Sequence, residues 1–281
     1  MYFNKELGMA IDAAQLGEVQ ETLLIPLYGR ATETGKPRPM LRDPKAVEMV
    51  RAIDYDFGRF DGGRSLFGVV VRTSIIDAWV LDFLDAHPEG TVVEIGAGLN
   101  TRFERVDNGR LHWVDLDLPD AMALRSQFFV ESDRRRMLAA SVLDEGWVAV
   151  VKTFPAPYFF ISEGVLVYLE EADVRRAVTL IAENFPGADI VTDTTGRWMI
   201  DHQDRHDAMK RVSARMRWAC DDPAELEGWG LGLRLLESGD LSRLPDRLRD
   251  RVPLARRAGL RAASLILRER FGRYKLNHYR A

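Results

Sequence analysis

The residues whose types and spacing best suit chemistry lie in two neighbouring clusters. The first is Thr91-Val92-Val93-Glu94-Ile95-Gly96-Ala97-Gly98-Leu99-Asn100-Thr101-Arg102, an apolar β-like run that ends in an acid and a glycine turn. The second is Trp113-Val114-Asp115-Leu116-Asp117-Leu118-Pro119. A strand, a glycine loop and a later strand ending in carboxylates make a nucleoside site at the carboxyl edge of a parallel sheet. The glycines let backbone approach a ligand closely, and a carboxylate on the next strand can accept hydrogen bonds from both ribose hydroxyls. The loop reads Gly96-x-Gly98-x-x-Thr101. A dinucleotide site wants a third glycine where the pyrophosphate and helix pack together. Thr101 in that place favours S-adenosyl-L-methionine, which has no phosphates, over a nicotinamide dinucleotide. Two glycines alone also have a plain backbone reading in a tight turn; the spacing to Asp115 and Asp117 is what points to a ligand.

The elements that must position these residues follow from the pattern. Residues 91–95, 111–115, 137–141, 157–161 and 188–192 read as short β-runs, with helical stretches such as 121–131 and 171–184 between them. This alternation argues for an α/β fold with a doubly wound, mostly parallel sheet. Residues 1–88 read as a mostly helical cap with breaks at Gly35-Lys36-Pro37-Arg38-Pro39 and Asp61-Gly62-Gly63. Residues 69–86 carry apolar side chains at helical spacing and stop at His87-Pro88-Glu89-Gly90. In the last third, 197–218 reads as a charged helix or helices, Asp221-Asp222-Pro223 as a capped helix start, and 231–237 and 274–280 as a β-pair with a basic helix between them. The whole divides into a cap over 1–88 and a ligand-binding domain over 89–281 with an insertion at about 196–230, packed as one unit.

Composition narrows the function. The 281 residues are 46% hydrophobic and 29% charged, enough for a sizeable core. A formal net charge of −4 offers no basic field for nucleic acid. The arginines of 243–273 alternate with acids and apolar residues, as on a solvated helix face. The one cysteine, Cys220, permits no intrachain disulfide and has no metal spacing. No basic-then-apolar leader and no run of membrane-spanning length is evident, so a cytoplasmic protein is expected.

Several segments together resemble the leucine carboxyl methyltransferase family, closest to its bacterial branch with the polyketide carboxyl O-methyltransferases. They are Val71-Arg72-Thr73-Ser74-Ile75-Ile76-Asp77, the glycine loop from Val93 to Arg102, Val114-Asp115-Leu116-Asp117-Leu118-Pro119, and Ile161-Ser162-Glu163-Gly164-Val165-Leu166-Val167-Tyr168-Leu169. Thr22-Leu23-Leu24-Ile25-Pro26-Leu27-Tyr28-Gly29-Arg30-Ala31 and Asp43-Pro44-Lys45-Ala46 match near the start, and Asp221-Asp222-Pro223 more weakly later. Two positions depart from the pattern: Asn100 stands where the family usually has aspartate, and Ser141-Val142 replaces the acid common near the third strand. The resemblance implies a Rossmann-like class I methyltransferase with a seven-stranded sheet. It also implies S-adenosyl-L-methionine as methyl donor, no metal, and a small-molecule acceptor.

Roles follow residue by residue. The resemblance gives Arg72 the carboxylate of the methionine moiety, which a planar guanidinium fork suits; a surface salt bridge is the alternative. It makes Asp117 the ribose acceptor, with Asp115 as reserve or as a group orienting the loop. Glu94 supports the glycine turn or reaches the donor's amino group. Glu163 sits in an apolar run, where a carboxylate is costly unless paired; the donor's ammonium or sulfonium is one partner, a helix cap another role. Ser141 and Val142 are assigned to the adenine. Arg30 touches donor or acceptor by resemblance. The Tyr168 hydroxyl orients an acceptor oxygen, or its ring simply packs.

His202 and His206 sit four apart on an expected helix; either is a possible general base, but no third ligand makes them a metal pair. Trp198, Trp218 and Trp229 line an aromatic acceptor pocket or fill core. A carboxylate acceptor is already ionised at neutral pH and needs no base, whereas a phenol does. The absence of an Asp-His pair leans toward the carboxylate. Two other readings are a protein C-terminal carboxyl methyltransferase and a non-catalytic relative that keeps the fold. No oligomeric state follows from the sequence.

Overall fold

The run Thr91–Ile95 becomes the middle of a sheet covered on both faces, and all five of its residues are buried. In the computed structural model, which describes residues 11–12, 20–205, 214–249, 252–266 and 274–281, seven strands form this sheet. They are β1 (Thr91–Ile95), β2 (His112–Asp117), β3 (Arg135–Ala139), β4 (Tyr158–Ser162), β5 (Asp189–Thr195), β6 (Arg234–Gly239) and β7 (Tyr274–Arg280), in the order β3-β2-β1-β4-β5-β7-β6. The first five pair in parallel, while β7 runs antiparallel to both β5 and β6. The chain winds outward from β1 to β3, then returns to place β4 on the other side of β1. The crevice at this reversal, beyond the carboxyl ends of β1 and β4, is where ligands bind in such sheets.

The helices are α1 (Leu24–Thr34), α2 (Pro44–Ala52), α3 (Arg64–Ala86), α4 (Arg102–Val106), α5 (Pro119–Arg125), α6 (Gly146–Val151), α7 (Glu171–Asn184), α8 (Arg197–Asp201), α9 (Asp246–Arg249) and α10 (Leu254–Ile266). On one face of the sheet α3 packs Val71, Ile75 and Trp79 against Val92, Trp113 and Phe159. On the other, α6 and α7 pack Trp147, Val178 and Ile181 against Val93, Val114 and Phe160. Alternation along each strand separates these two sets. Asp43 caps α2, accepting from the Ala46 N–H at 2.9 Å with Pro44 at the first helical position.

Several local expectations shift: the strand expected over 137–141 is Arg135–Ala139, which leaves Ser141 in the loop after it, the helix expected over 121–131 ends at Arg125, and the strand expected over 231–237 is Arg234–Gly239. β2 continues to Asp117, so that Asp115 is mid-strand and Asp117 stands at the strand end. The helix anticipated over 197–218 is short: α8 stops at Asp201 and a 3₁₀ turn spans Gln203–Arg205. From residue 214 the backbone bonds elsewhere instead of helically. The Arg217 and Trp218 N–H groups donate to the Val167 carbonyl, and Cys220 N–H donates to that of Thr195. His206 lies outside the described residues. Pro223–Trp229 forms a 3₁₀ helix capped by Asp222. No helix among the described residues is long and apolar enough to cross a membrane.

Candidate active site

A cavity of about 280 Å³ opens at the carboxyl ends of β1, β2 and β4, under α1 and the start of α3. Of the residues singled out from sequence, Arg30, Arg72, Gly96, Gly98, Asp117, Ser141, Val142, Glu163 and Tyr168 line it. Glu94, Asp115 and His202 do not.

One wall is backbone. Gly96 and Gly98 have φ of +64° and +45°, a region that side chains rarely adopt. Space is as tight as conformation: a Cβ on Gly96 would lie 2.2 Å from Val165 Cγ2, and one on Gly98 2.6 Å from Leu23 Cδ2. The turn is tied to β2 by Gly96 N–H donating to the Leu116 carbonyl at 2.7 Å. Asp117 accepts from Gly98 N–H at 2.6 Å through Oδ2 and from Leu118 N–H at 2.7 Å through Oδ1. Burial pushes its carboxyl up against these two bonds.

Asp115, two residues earlier, is fully buried and accepts from Trp113 Nε1, Arg125 Nη2 and Arg135 Nε, each at 2.9 Å. Arg125 also donates to the carbonyls of Gly98 and Asn100 at 2.8 Å. Asp115 therefore reaches the glycine loop through an arginine and not a ligand directly. Ser141 Oγ accepts from Leu143 N–H at 3.1 Å, and the Val142 carbonyl accepts from Trp147 Nε1 at 3.1 Å; these bonds shape the loop that flanks the cavity after β3.

The opposite wall is charge. Arg72 donates from Nε to Glu163 Oε1 at 2.8 Å, and Thr73 Oγ1 donates to the same oxygen at 2.8 Å. Arg102, fully buried in α4, donates to Glu163 Oε2, to Glu94 Oε1 and, at 2.7 Å, to Asp77 Oδ1. Two of these three carboxylates, Glu163 and Glu94, shift in opposite directions. Burial works against ionising Glu163, but Arg72 and Arg102 overcome it and hold the group well below the ordinary range. Glu94 lacks the second arginine contact, and burial pushes it up to about 7, aided by Asp115 and Glu163 nearby. Its Oε2 is buried without a hydrogen-bond partner among the described residues.

Arg30 is buried, with Nε on Asp43 Oδ2 at 2.9 Å and Nη2 on the Leu99 carbonyl at 2.7 Å, and is among the residues that line the cavity. Tyr168, hydrogen-bonded to Thr22, has its hydroxyl pushed up by burial. His202 stacks on Trp198 with ring centroids 4.4 Å apart and Nδ1 2.9 Å from the Trp198 carbonyl, off the cavity. Trp218 is core, and Trp229 packs at the core's margin under Arg175. Among the described residues no three acidic, histidine or cysteine side chains could hold a metal ion.

Sequence reasoning gave no role to Arg102, Asp77, Asp193 or Tyr274. An arginine after the glycine loop and an acid two residues after Val191 in the fifth β-run were the available signals, since neither is buried without a partner. The cavity suits S-adenosylmethionine: glycines clear the floor, Asp117 keeps lone pairs beyond those bound to amides, and a guanidinium and a carboxylate face the far end.

Known proteins agree. A family model described as leucine carboxyl methyltransferase matches residues 24–182. The tetracenomycin polyketide synthesis O-methyltransferase TcmP of Streptomyces glaucescens is 33% identical, covering 80% of this chain and 84% of its own. The S-adenosyl-L-methionine-dependent methyltransferase dpfgK of Gibberella zeae is 27% identical over 82% of this chain and 85% of its own. Among solved structures, a DUF574 family protein from Streptomyces avermitilis shares the fold with a TM-score of 0.55 at 14% identity, covering 92% of this chain and 96% of that one.

Proposed function

The chain belongs to the leucine carboxyl methyltransferase family, and from that premise we propose that it transfers a methyl group from S-adenosylmethionine to an oxygen of a small molecule, a carboxylate. The donor supplies an electrophilic methyl on a sulfonium. Asp117 accepts its ribose hydroxyls, Gly96 and Gly98 make room for it, the loop at Ser141 and Val142 flanks its adenine, and Arg72 and Glu163 take its carboxylate and ammonium. Residues 1–88 act as a cap: Arg30 and the start of α3 face the same cavity from above and shape the acceptor's side of it. The single unpaired cysteine suits a reducing cytoplasm.

The observation that carries the carboxylate is the character of the ionisable groups lining the cavity. Arg30 and Arg72 are cations. Glu163 is held ionised by two arginines, and Asp117 is bound to two amides. Tyr168 is pushed toward keeping its proton, so it donates a hydrogen bond and does not accept a proton. Among the described residues that line the cavity there is no histidine, and an acceptor that arrives as an anion needs no proton removed. Catalysis then rests on aligning oxygen, methyl and sulfur in a site shielded from water.

The test is a single-turnover pH–rate profile with an acceptor that the enzyme methylates, together with alkali treatment of the product. A rate flat from about pH 6 to 9 and an alkali-labile product are expected, because carboxyl pKa values lie near about 4. A rate that climbs through this window, with an alkali-stable ether product, rejects the carboxylate. Calorimetric binding of NADH but not of S-adenosylhomocysteine rejects the donor.

A further inference from the structure

Two groups stand behind Arg72 that belong to neither the glycine loop nor the Glu163 cluster. Asp193, in β5, is buried, and its Oδ1 accepts from Gly164 N–H at 2.6 Å. Its Oδ2 accepts from the Tyr274 hydroxyl at 2.8 Å. That hydroxyl accepts in turn from Arg72 Nη1 at 3.0 Å. The direct Arg72–Asp193 separation is 3.9 Å, well beyond the roughly 2.7–2.9 Å of a hydrogen-bonded ion pair. The tyrosine oxygen thus stands between the two charges and holds the guanidinium off the aspartate. Gly164 completes the seat: its φ is +68°, and a Cβ there would lie 3.2 Å from Arg72 Nη1. With Nε on Glu163 and Nη1 on Tyr274, contacts on two different nitrogens fix the plane of the guanidinium.

We infer that Asp193 and Tyr274 are positioning residues that aim Arg72 at the carboxylate of the methyl donor, an inference that rests on reading the cavity as an S-adenosylmethionine site. A guanidinium recognises a carboxylate through a planar fork, and only a fixed plane presents that fork. Without the tyrosine oxygen, Arg72 closes on Asp193 and turns its fork away from the cavity.

Tyr274→Phe keeps the ring and deletes the oxygen. Calorimetry with two probes reads the outcome: S-adenosylhomocysteine, and 5′-methylthioadenosine, which has the adenosine and sulfur without the amino-acid carboxylate. S-adenosylhomocysteine should bind about tenfold more weakly, the loss of one charge-assisted contact, while 5′-methylthioadenosine is unchanged within about twofold. Asp193→Asn, which turns the Oδ2 acceptor into a donor, should show the same selective loss and carries the test should Tyr274→Phe fail to fold. Tyr279→Phe, in the same strand, deletes a buried hydroxyl that donates to the Pro223 carbonyl at 2.9 Å; it should lower the melting temperature and leave S-adenosylhomocysteine affinity intact. Unchanged S-adenosylhomocysteine affinity in Tyr274→Phe, or equal weakening of both probes, overturns the positioning role alone. Failure of the unmodified protein to bind S-adenosylhomocysteine overturns the donor site and the positioning role together.

Discussion

At one end of the cavity a ligand meets backbone; at the other it meets charge. The glycine-loop end is local, made by residues 96–98 and 117–118, and its geometry comes from φ angles and the absence of side chains. The charged end collects Arg72 and Asp77 from α3, Glu94 from β1, Arg102 from α4 and Glu163 after β4, all joined through Arg102 or Glu163. The first kind of construction fails through crowding and the second through imbalance, because a buried charge without its partner is far costlier than a misplaced methyl group. Substitutions at the two ends should therefore fail in different ways.

The largest effect is expected at Arg102. Replacing it by Met leaves Glu94, Glu163 and Asp77 short of a cation at once, and breaking a buried pair costs about 3–5 kcal/mol. Urea denaturation should show the loss, and Glu94→Gln added to Arg102→Met should restore part of it by removing one stranded charge. A loss under about 1 kcal/mol would mean that water reaches these groups and that the charged end is not held by balance.

Gly96→Ala tests the backbone end. The positive φ alone costs about 1–3 kcal/mol for a residue with a side chain, and the new methyl meets Val165 at 2.2 Å. Donor affinity should fall with stability. Val165→Ala in the same chain should relieve the contact but not the φ strain, giving partial rescue. Full rescue would assign the whole requirement to space and none to conformation.

The two ends also differ in how far the sequence discloses them. Gly96, Gly98 and Asp117 are legible because one short stretch carries glycines, strand and acid at fixed spacing. Strands over 91–95 and 274–280 and the helix over 171–184 coincide with the anticipated limits, since apolar period and bounding turns set them locally. At the charged end the resemblance picks out Arg72, Glu94 and Glu163 one by one, but their pairing is not legible for a physical reason: the partners lie 61 residues apart in the case of Arg102 and Glu163, and 202 in that of Arg72 and Tyr274. Nothing local in Tyr274 distinguishes it from a packing tyrosine. The same holds for Asp115, whose spacing resembles that of Asp117 but whose mid-strand place turns it onto Arg125 and Arg135. The short α8 was hidden likewise, because the carbonyls that capture residues 217–220 belong to Val167, in a 3₁₀ turn, and to Thr195, at the end of β5, both distant in sequence.

A smaller effect, read as pH dependence, sharpens the contrast inside the charged end. Glu94 is raised from 4.5 to about 7, so between these values the folded protein keeps a proton that the unfolded chain releases. Its contribution is complete below about pH 4.5 and lost as pH rises through about 7, at most about 3 kcal/mol. Glu163, held low, has the opposite sign: its contribution is present above the ordinary glutamate range and lost as pH falls below it. Stability measured from pH 4.5 to 8 should decline toward neutrality, and Glu94→Gln should flatten that decline. A profile that Glu94→Gln leaves unaltered would place the proton on another group.

The smallest effect is expected at His202, where the charged end would gain a base if α8 turned inward. The imidazole stacks on Trp198, and its Nδ1 lies within hydrogen-bonding distance of the Trp198 carbonyl, which only a protonated nitrogen can use. That leaves Nε2 as the one atom able to take a proton, and the ring does not line the cavity. A general base must come within hydrogen-bond reach of the proton it removes, directly or through one water. His202→Ala should therefore keep the single-turnover rate within about twofold, roughly 0.4 kcal/mol of barrier, and keep it flat with pH. The pH dependence matters more than the rate, because a lid that loosens also slows turnover but adds no titration. A hundredfold loss, together with disappearance of a pH-dependent limb from the rate profile of the unmodified enzyme, would mean that α8 closes over the bound acceptor with His202 as its base. The acceptor would then be a neutral hydroxyl and not a carboxylate.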